Sequence, residues 1–151
     1  DKIIMKQAIN LGMAAALPDG NLIVPVVKNA DHFNLIGLAK AVNDLAARAR
    51  NNALKPDEVQ EGTYTFTNIG NFGSLMGTPI INQPQVAIQA IGAIVKRPMV
   101  MTDESGNDSI AIRQMMFSGL SFDHRIVDGA VADQFMSIIK KELETDTFGL
   151  E

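Results

Sequence analysis

The segment Phe122-Asp123-His124-Arg125-Ile126-Val127-Asp128-Gly129 sets a histidine, an arginine and two aspartates between an apolar run and an amphipathic stretch. Histidine is the one side chain whose ordinary pKa lies near neutrality, so it can take a proton and return it under mild conditions. Placed at the end of a strand and oriented by a carboxylate, His124 would serve as a general base. A plainer reading stands beside this one. Asp128 would cap the next helix, and His124 would be a polar loop residue. The spacing alone leaves the two level.

An imidazole acts only where the chain holds it, so the elements around it matter. Ile9 to Leu17 and Leu22 to Val27 are apolar runs parted by Pro18-Asp19-Gly20-Asn21. Those turn residues predict a β-hairpin. Pro25, lacking an N–H, predicts an edge or a bulge in its second strand. From Asn34 to Asn52 apolar residues recur at helical spacing, with Asp31 or Asn34 available as cap. Lys40, Asp44 and Arg48 carry four-spaced opposite charges on the other face. Thr63 to Asn68 is β-branched and aromatic, hence a strand. Ile69 to Pro84, rich in Gly and Pro, predicts an irregular loop.

Gln85 to Val95 reads as a strand ended by Pro98, and Ile110 to Phe122 as a further long strand. A polar turn at Ser105-Gly106-Asn107 makes the two a hairpin. Beyond the His124 loop, Ala130, Val131, Gln134, Phe135, Ile138, Ile139 and Leu143 form the buried stripe of a last helix. Strands dominate, with one helix early and one late. This implies an α/β sandwich with a mostly antiparallel or mixed sheet.

Composition excludes several classes. The 151 residues are one domain's worth, with 46% apolar and 20% charged residues. A net charge of −4, one Tyr, no Trp and no basic run argue against a nucleic-acid surface. Without cysteine there is neither a disulfide framework nor a thiolate metal site, and two isolated histidines do not make a zinc site. Gly, Asn, Gln and Pro interrupt every apolar run before membrane-spanning length. Gly70, Gly73 and Gly77 lack the Lys-Ser/Thr and the helix of a phosphate loop.

The string Asp-His-Arg-x-x-Asp-Gly at positions 123–129 resembles the signature of the dihydrolipoamide acyltransferases, the core components of 2-oxo acid dehydrogenase complexes. Other stretches resemble that family in the same order: Asn10 to Ala14, Leu22 to Val27, Gly62 to Gly70 and Thr78 to Ile88. The resemblance covers nearly the whole chain. It implies a chloramphenicol-acetyltransferase-like two-layer sandwich with a mixed sheet, truncated at its N-terminal side. The chain is then the C-terminal part of the catalytic domain, with the lipoyl and partner-binding domains lying upstream.

The implied reaction is acyl transfer from S-acyl-dihydrolipoamide to coenzyme A, without a metal. Acetyl is favoured; succinyl and branched-chain acyl groups are the alternatives. By resemblance His124 is the base, Asp128 orients or holds its loop, and the Thr67 hydroxyl stabilises the oxyanion. From its residues alone, Thr67 is an ordinary strand threonine. Asn68, Gly92 and Ile94 fall where coenzyme A contacts lie. Arg125 ties the loop through Asp123 or Asp128, while His32 is an exposed residue near a helix start. One departure is visible: Ala16 stands where many members carry Asp, which puts a coenzyme A contact there in doubt.

The resemblance further implies a homotrimer, with the site between subunits, assembling into a cage that binds the dehydrogenase and dihydrolipoamide dehydrogenase components. Neither a nucleic acid nor a membrane is an expected partner. The apolar residues Phe148-Gly149-Leu150 would dock on another subunit or fray. The expected compartment is the bacterial cytoplasm, or the mitochondrial matrix in a eukaryote. Two competing readings are a free-standing acetyltransferase of the chloramphenicol type and an assembly scaffold without catalysis.

Overall fold

Tyr64, Thr65, Phe66, Thr67 and Asn68 alternate large and small side chains, and this alternation builds the centre of the fold. They form β5 (Tyr64–Asn68), the middle strand of a five-stranded sheet. The structure, a computed structural model, describes residues 2–145. The other sheet members are β1 (Leu11–Met13), β4 (Val26–Val27), β6 (Ala87–Ile91) and β9 (Ser118–Phe122), in the order β4-β1-β5-β6-β9. β1 and β6 run parallel to β5, whereas β4 and β9 pair antiparallel at the two edges. The sheet is therefore mixed. The parallel step from β5 to β6 needs a long crossover, and the Gly- and Pro-rich loop supplies it.

The first hairpin is narrower than its apolar runs suggest. β2 (Ala15–Ala16) pairs with β3 (Leu22–Ile23) in a separate two-stranded piece. Its turn closes with Leu17 N–H donating to the Asn21 carbonyl at 2.8 Å, and Gly20 takes φ 85°. Pro25 parts β3 from β4 and is fully buried; its carbonyl accepts the Met13 N–H at 2.9 Å. α1 (Leu35–Arg50) starts at Asn34, whose side chain accepts from Gly37 N–H at 2.8 Å; Asp31 lies in a preceding single turn. Of the charges on its outer face, Arg48 bonds Asp44 at 2.8 Å and reaches Glu58 at 2.5 Å.

Two strand boundaries differ from expectation. β6 ends at Ile91; the Gly92 N–H extends the ladder to the Phe117 carbonyl at 2.9 Å, and the Ala93 N–H then turns away to the Ser74 carbonyl at 2.9 Å. β7 (Val95–Thr102) and β8 (Asp108–Met115) then form a free-standing ribbon. Pro98 does not end the strand; it lies inside β7, opposite Ile112. A two-stranded ribbon has an open outer edge, where a residue without an N–H breaks no ladder. The expected strand from Ile110 to Phe122 is likewise two, β8 and β9, parted at Met116 and Phe117. The tip matches expectation: Gly106 takes φ 83° and Asp103 N–H bonds the Asn107 carbonyl.

α2 (Gly129–Glu144) is the predicted last helix, but its apolar stripe is not buried. Ala132 is its one buried residue, while Val131, Ile138 and Leu143 are each more than half exposed. Periodicity reveals an apolar face without revealing what covers it. The chain as a whole shows the same deficit. It presents 11123 Å² of surface at 16.3 kDa. A self-contained monomer of that mass presents about 7,500 Å². Phe148, Gly149 and Leu150 lie outside the described residues.

Candidate functional site

The last rung of β9 sets Phe122 opposite Ala87, and Asp123 N–H extends the ladder to the Val86 carbonyl at 2.8 Å. There the chain turns sharply. Ile126 and Val127 both donate their N–H to the Asp123 carbonyl at 3.0 Å. The Asp123 carboxylate turns back as well: it accepts from the Arg125 backbone at 3.0 Å, from Nε at 2.9 Å and from Nη2 at 2.6 Å. The guanidinium and the Arg125 N–H together hold the Asp123 carboxyl down to about 2. The pairing also pushes the Arg125 guanidinium up.

Five residues after Asp123 the turn is pinned again. Asp128 accepts from Val131 N–H at 2.8 Å and caps α2. Its carboxylate therefore does what the plainer reading proposes, and by capping the helix it also fixes the loop's exit. His124 stands exposed between these pins, its ring 5.4 Å from the Phe122 ring at 41°. Among the described residues neither carboxylate of the turn bonds the imidazole, so the orienting carboxylate expected from the spacing is not found. Arg125 chooses Asp123 of its two candidate partners. His32 is largely exposed and lies 3.7 Å from Asp31.

Thr67 belongs to the other end of the sheet. It is half-buried on β5 opposite Ala90, next to Asn68. Among the described residues its hydroxyl has no hydrogen-bond partner, yet no side-chain polar atom is both buried and unpaired. The Thr67 hydroxyl is thus reachable from outside and unengaged. Asn68 is exposed and accepts from Asn71 N–H at 3.3 Å. Gly92 is buried, and a Cβ there would lie 1.9 Å from the Leu75 carbonyl oxygen. Its small size serves the crossing of two backbones. Ile94, 63% exposed, borders a cavity of about 790 Å³ between the β8–β9 junction and α2.

The sheet brings Thr67, Asn68 and Gly92 together and keeps His124 and Asp128 away from them. Thr67 is opposite Ala90, and Phe122 is opposite Ala87. Three residues along a strand span about 10 Å, and β5 and β9 lie two strand spacings apart, about 9.6 Å. The backbones of Thr67 and Phe122 are thus about 14 Å apart, and His124 lies further out still. Sequence reasoning missed the polar chain on the face towards α2. There Tyr64 donates to Gln89 at 2.9 Å, and Gln89 donates to Ser118 at 2.7 Å. Burial pushes the Tyr64 phenol up to about 12. Its ring meets Phe135 edge-on at 5.6 Å, which joins the sheet to α2. Only the strand register, which no local pattern shows, aligns these residues.

Residues 1–148 match the family described as 2-oxoacid dehydrogenases acyltransferase (catalytic domain). The chain belongs to that acyltransferase family. It is 51% identical over 141 residues to the dihydrolipoyllysine-residue acetyltransferase component of the pyruvate dehydrogenase complex from Corynebacterium glutamicum, covering 93% of this chain and 21% of that protein. The Mycobacterium bovis component of the same name is 48% identical over 147 residues, covering 97% and 26%. The lipoamide acyltransferase component of the branched-chain alpha-keto acid dehydrogenase complex from Bacillus subtilis is 46% identical, covering 96% and 33%. The chain thus spans about a quarter of the length of the first two relatives.

Solved acyltransferase cores share the fold. A probable dihydrolipoamide acetyltransferase from Listeria monocytogenes superposes with a TM-score of 0.88 at 43% identity, covering 95% of this chain and 58% of that one. The dihydrolipoamide acetyltransferase of Azotobacter vinelandii, studied for the roles of a serine, a histidine and an asparagine in its mechanism, gives 0.81 at 32%, covering 93% and 55%. The cubic core of a pyruvate dehydrogenase multienzyme complex gives 0.79 at 33%, covering 91% and 54%.

Proposed function

We propose that this chain is the catalytic part of an acyltransferase that moves an acyl group, acetyl in the first place, from S-acyl-dihydrolipoamide to coenzyme A. The observation that carries the reading is His124, exposed on a turn pinned at both ends, its ring without a hydrogen-bond partner among the described residues. A base must keep a free nitrogen for its substrate. In the Azotobacter acetyltransferase the histidine and asparagine studied stand four positions apart, as His124 and Asp128 do here.

His124 takes the proton from the coenzyme A sulfhydryl. The thiolate attacks the thioester carbonyl, and the Thr67 hydroxyl donates to the resulting oxyanion. Collapse breaks the bond to the dihydrolipoamide sulfur, which takes the proton back from the imidazolium. The base contributes about 10²–10⁴ in rate, and the oxyanion donor about 3 kcal/mol.

Thr67 and His124 lie too far apart in one chain to share a carbonyl, so the site forms between copies. The excess surface and the uncovered face of α2 support such an assembly. We propose a trimer that builds a larger cage and that receives the other enzymes of the complex; the likeness to the cubic core of a multienzyme complex supports a large assembly. The test is an assay of the full-length protein with coenzyme A and acetyl-, succinyl- and branched-chain acyl-dihydrolipoamide. His124→Ala should cut turnover by at least about a hundredfold while assembly persists. Near-normal turnover in that variant would refute the base assignment.

A further inference from the structure

We infer that the ring of His124 is held by Phe122 and by the Asp123–Arg125 chelate, so that these three are positioning residues for the base. The inference rests on the base assignment proposed above and extends it. Both carboxylates of the turn are committed away from the imidazole, Asp123 to Arg125 and Asp128 to Val131 N–H. What touches the ring is Phe122, itself fixed by pairing with Ala87.

The chelate acts on the backbone. Asp123 and Arg125 flank His124, and four bonds join them across it: one from the Arg125 N–H and three from its guanidinium, Nε being shared between both carboxylate oxygens. The backbone torsions of His124 cannot change without breaking that closure. A side chain 83% exposed adds little stability by pairing. The chelate therefore matters through geometry, and a displacement of about 1 Å at a catalytic group costs up to a hundredfold in rate.

The experiment uses the full-length protein. For R125A, D123N, R125K, F122L and the double variant D123N/R125A, kcat, both KM values and Tm are measured. The imidazole ring signals of His124 are recorded by NMR. R125A should lose about tenfold to a hundredfold in kcat, with both KM values and Tm unchanged. F122L should lose kcat as well, without a change in KM. The double variant should be no slower than the slower single variant, because the two residues act as one unit. R125K, which keeps the charge but not the planar fork, should recover only part of the rate.

An unchanged kcat in R125A, a loss that follows Tm, or losses that multiply in the double variant would each overturn the inference. If the wild-type protein transfers no acyl group, the base assignment fails on its own. The clamp is then read from the ring signals. One set with a cross-peak to Phe122, broadened or lost in R125A, supports it, and identical signals in R125A overturn it.

Discussion

The separation of Thr67 from His124 makes a quantitative prediction about mixed assemblies. Two inactive variants, His124→Ala and Thr67→Val, are co-expressed with different tags, and assemblies carrying both are isolated. Suppose each site takes its base from one copy and its oxyanion donor from the next. A site then works when the base comes from a Thr67→Val copy and the donor from a His124→Ala copy. At equal mixing both conditions hold in about a quarter of sites, whatever the number of copies in a closed ring. Each parent should fall to about 1% of wild type or below, since the base is worth 10²–10⁴ and the donor 10²–10³. A recovered rate near a quarter of wild type thus stands well clear of the background. The assay is acyl transfer to coenzyme A per copy, for each parent and for the mixture. Strand geometry puts the backbones of Thr67 and Phe122 about 14 Å apart within a copy, with His124 beyond Phe122, which argues against a site in one chain. If mixed assemblies of confirmed composition stay at the level of the parents, that reasoning is wrong.

Three further outcomes follow from named contacts. Asp128→Ala should lose about 1 kcal/mol by uncapping α2, a drop of about 2–4 °C in Tm. Asp128→Asn, which keeps the acceptor, should melt like wild type; equal losses in both would remove the cap from the account. Glu58, held down to about 2 by Arg48 and the Lys55 N–H, has a folded pKa below its ordinary 4.5. Its contribution is therefore present above that ordinary value and is lost as pH falls towards 2. Stability against pH should accordingly slope less steeply over that window in Glu58→Gln, as denaturant titrations at stepped pH would show. Gly92→Ala must displace the Leu75 carbonyl, which would lie 1.9 Å from the new carbon. It should melt well below wild type, and a normal melting temperature would show that the crossing loop is free to move.

Local chemistry was readable from the residues because it acts over three or four positions. Asn34 caps α1 through Gly37, Asp128 caps α2 through Val131, and Asp103 closes the ribbon tip through Asn107. Helical spacing and β-branched alternation likewise located α1, α2 and β5. The reading faltered where partners are distant in the chain. Pro98 looked like a terminator, yet the partner strand β8 accommodates it. The stripe on α2 looked like core, but coverage depends on what else packs there. The chain between β6 and β9 leaves the sheet after Gly92, where the Ala93 N–H turns to the carbonyl of Ser74 in the crossing loop.

The motif and its family were therefore set by the linear order of residues, for Asp123 bonds Arg125 two positions on and Asp128 bonds Val131 three positions on. That His124 stands at one end of the sheet and Thr67 at the other was decided by the pairing of β5, β6 and β9. Those strands lie tens of positions apart, and hydrogen-bond register between them is a property of the folded sheet alone.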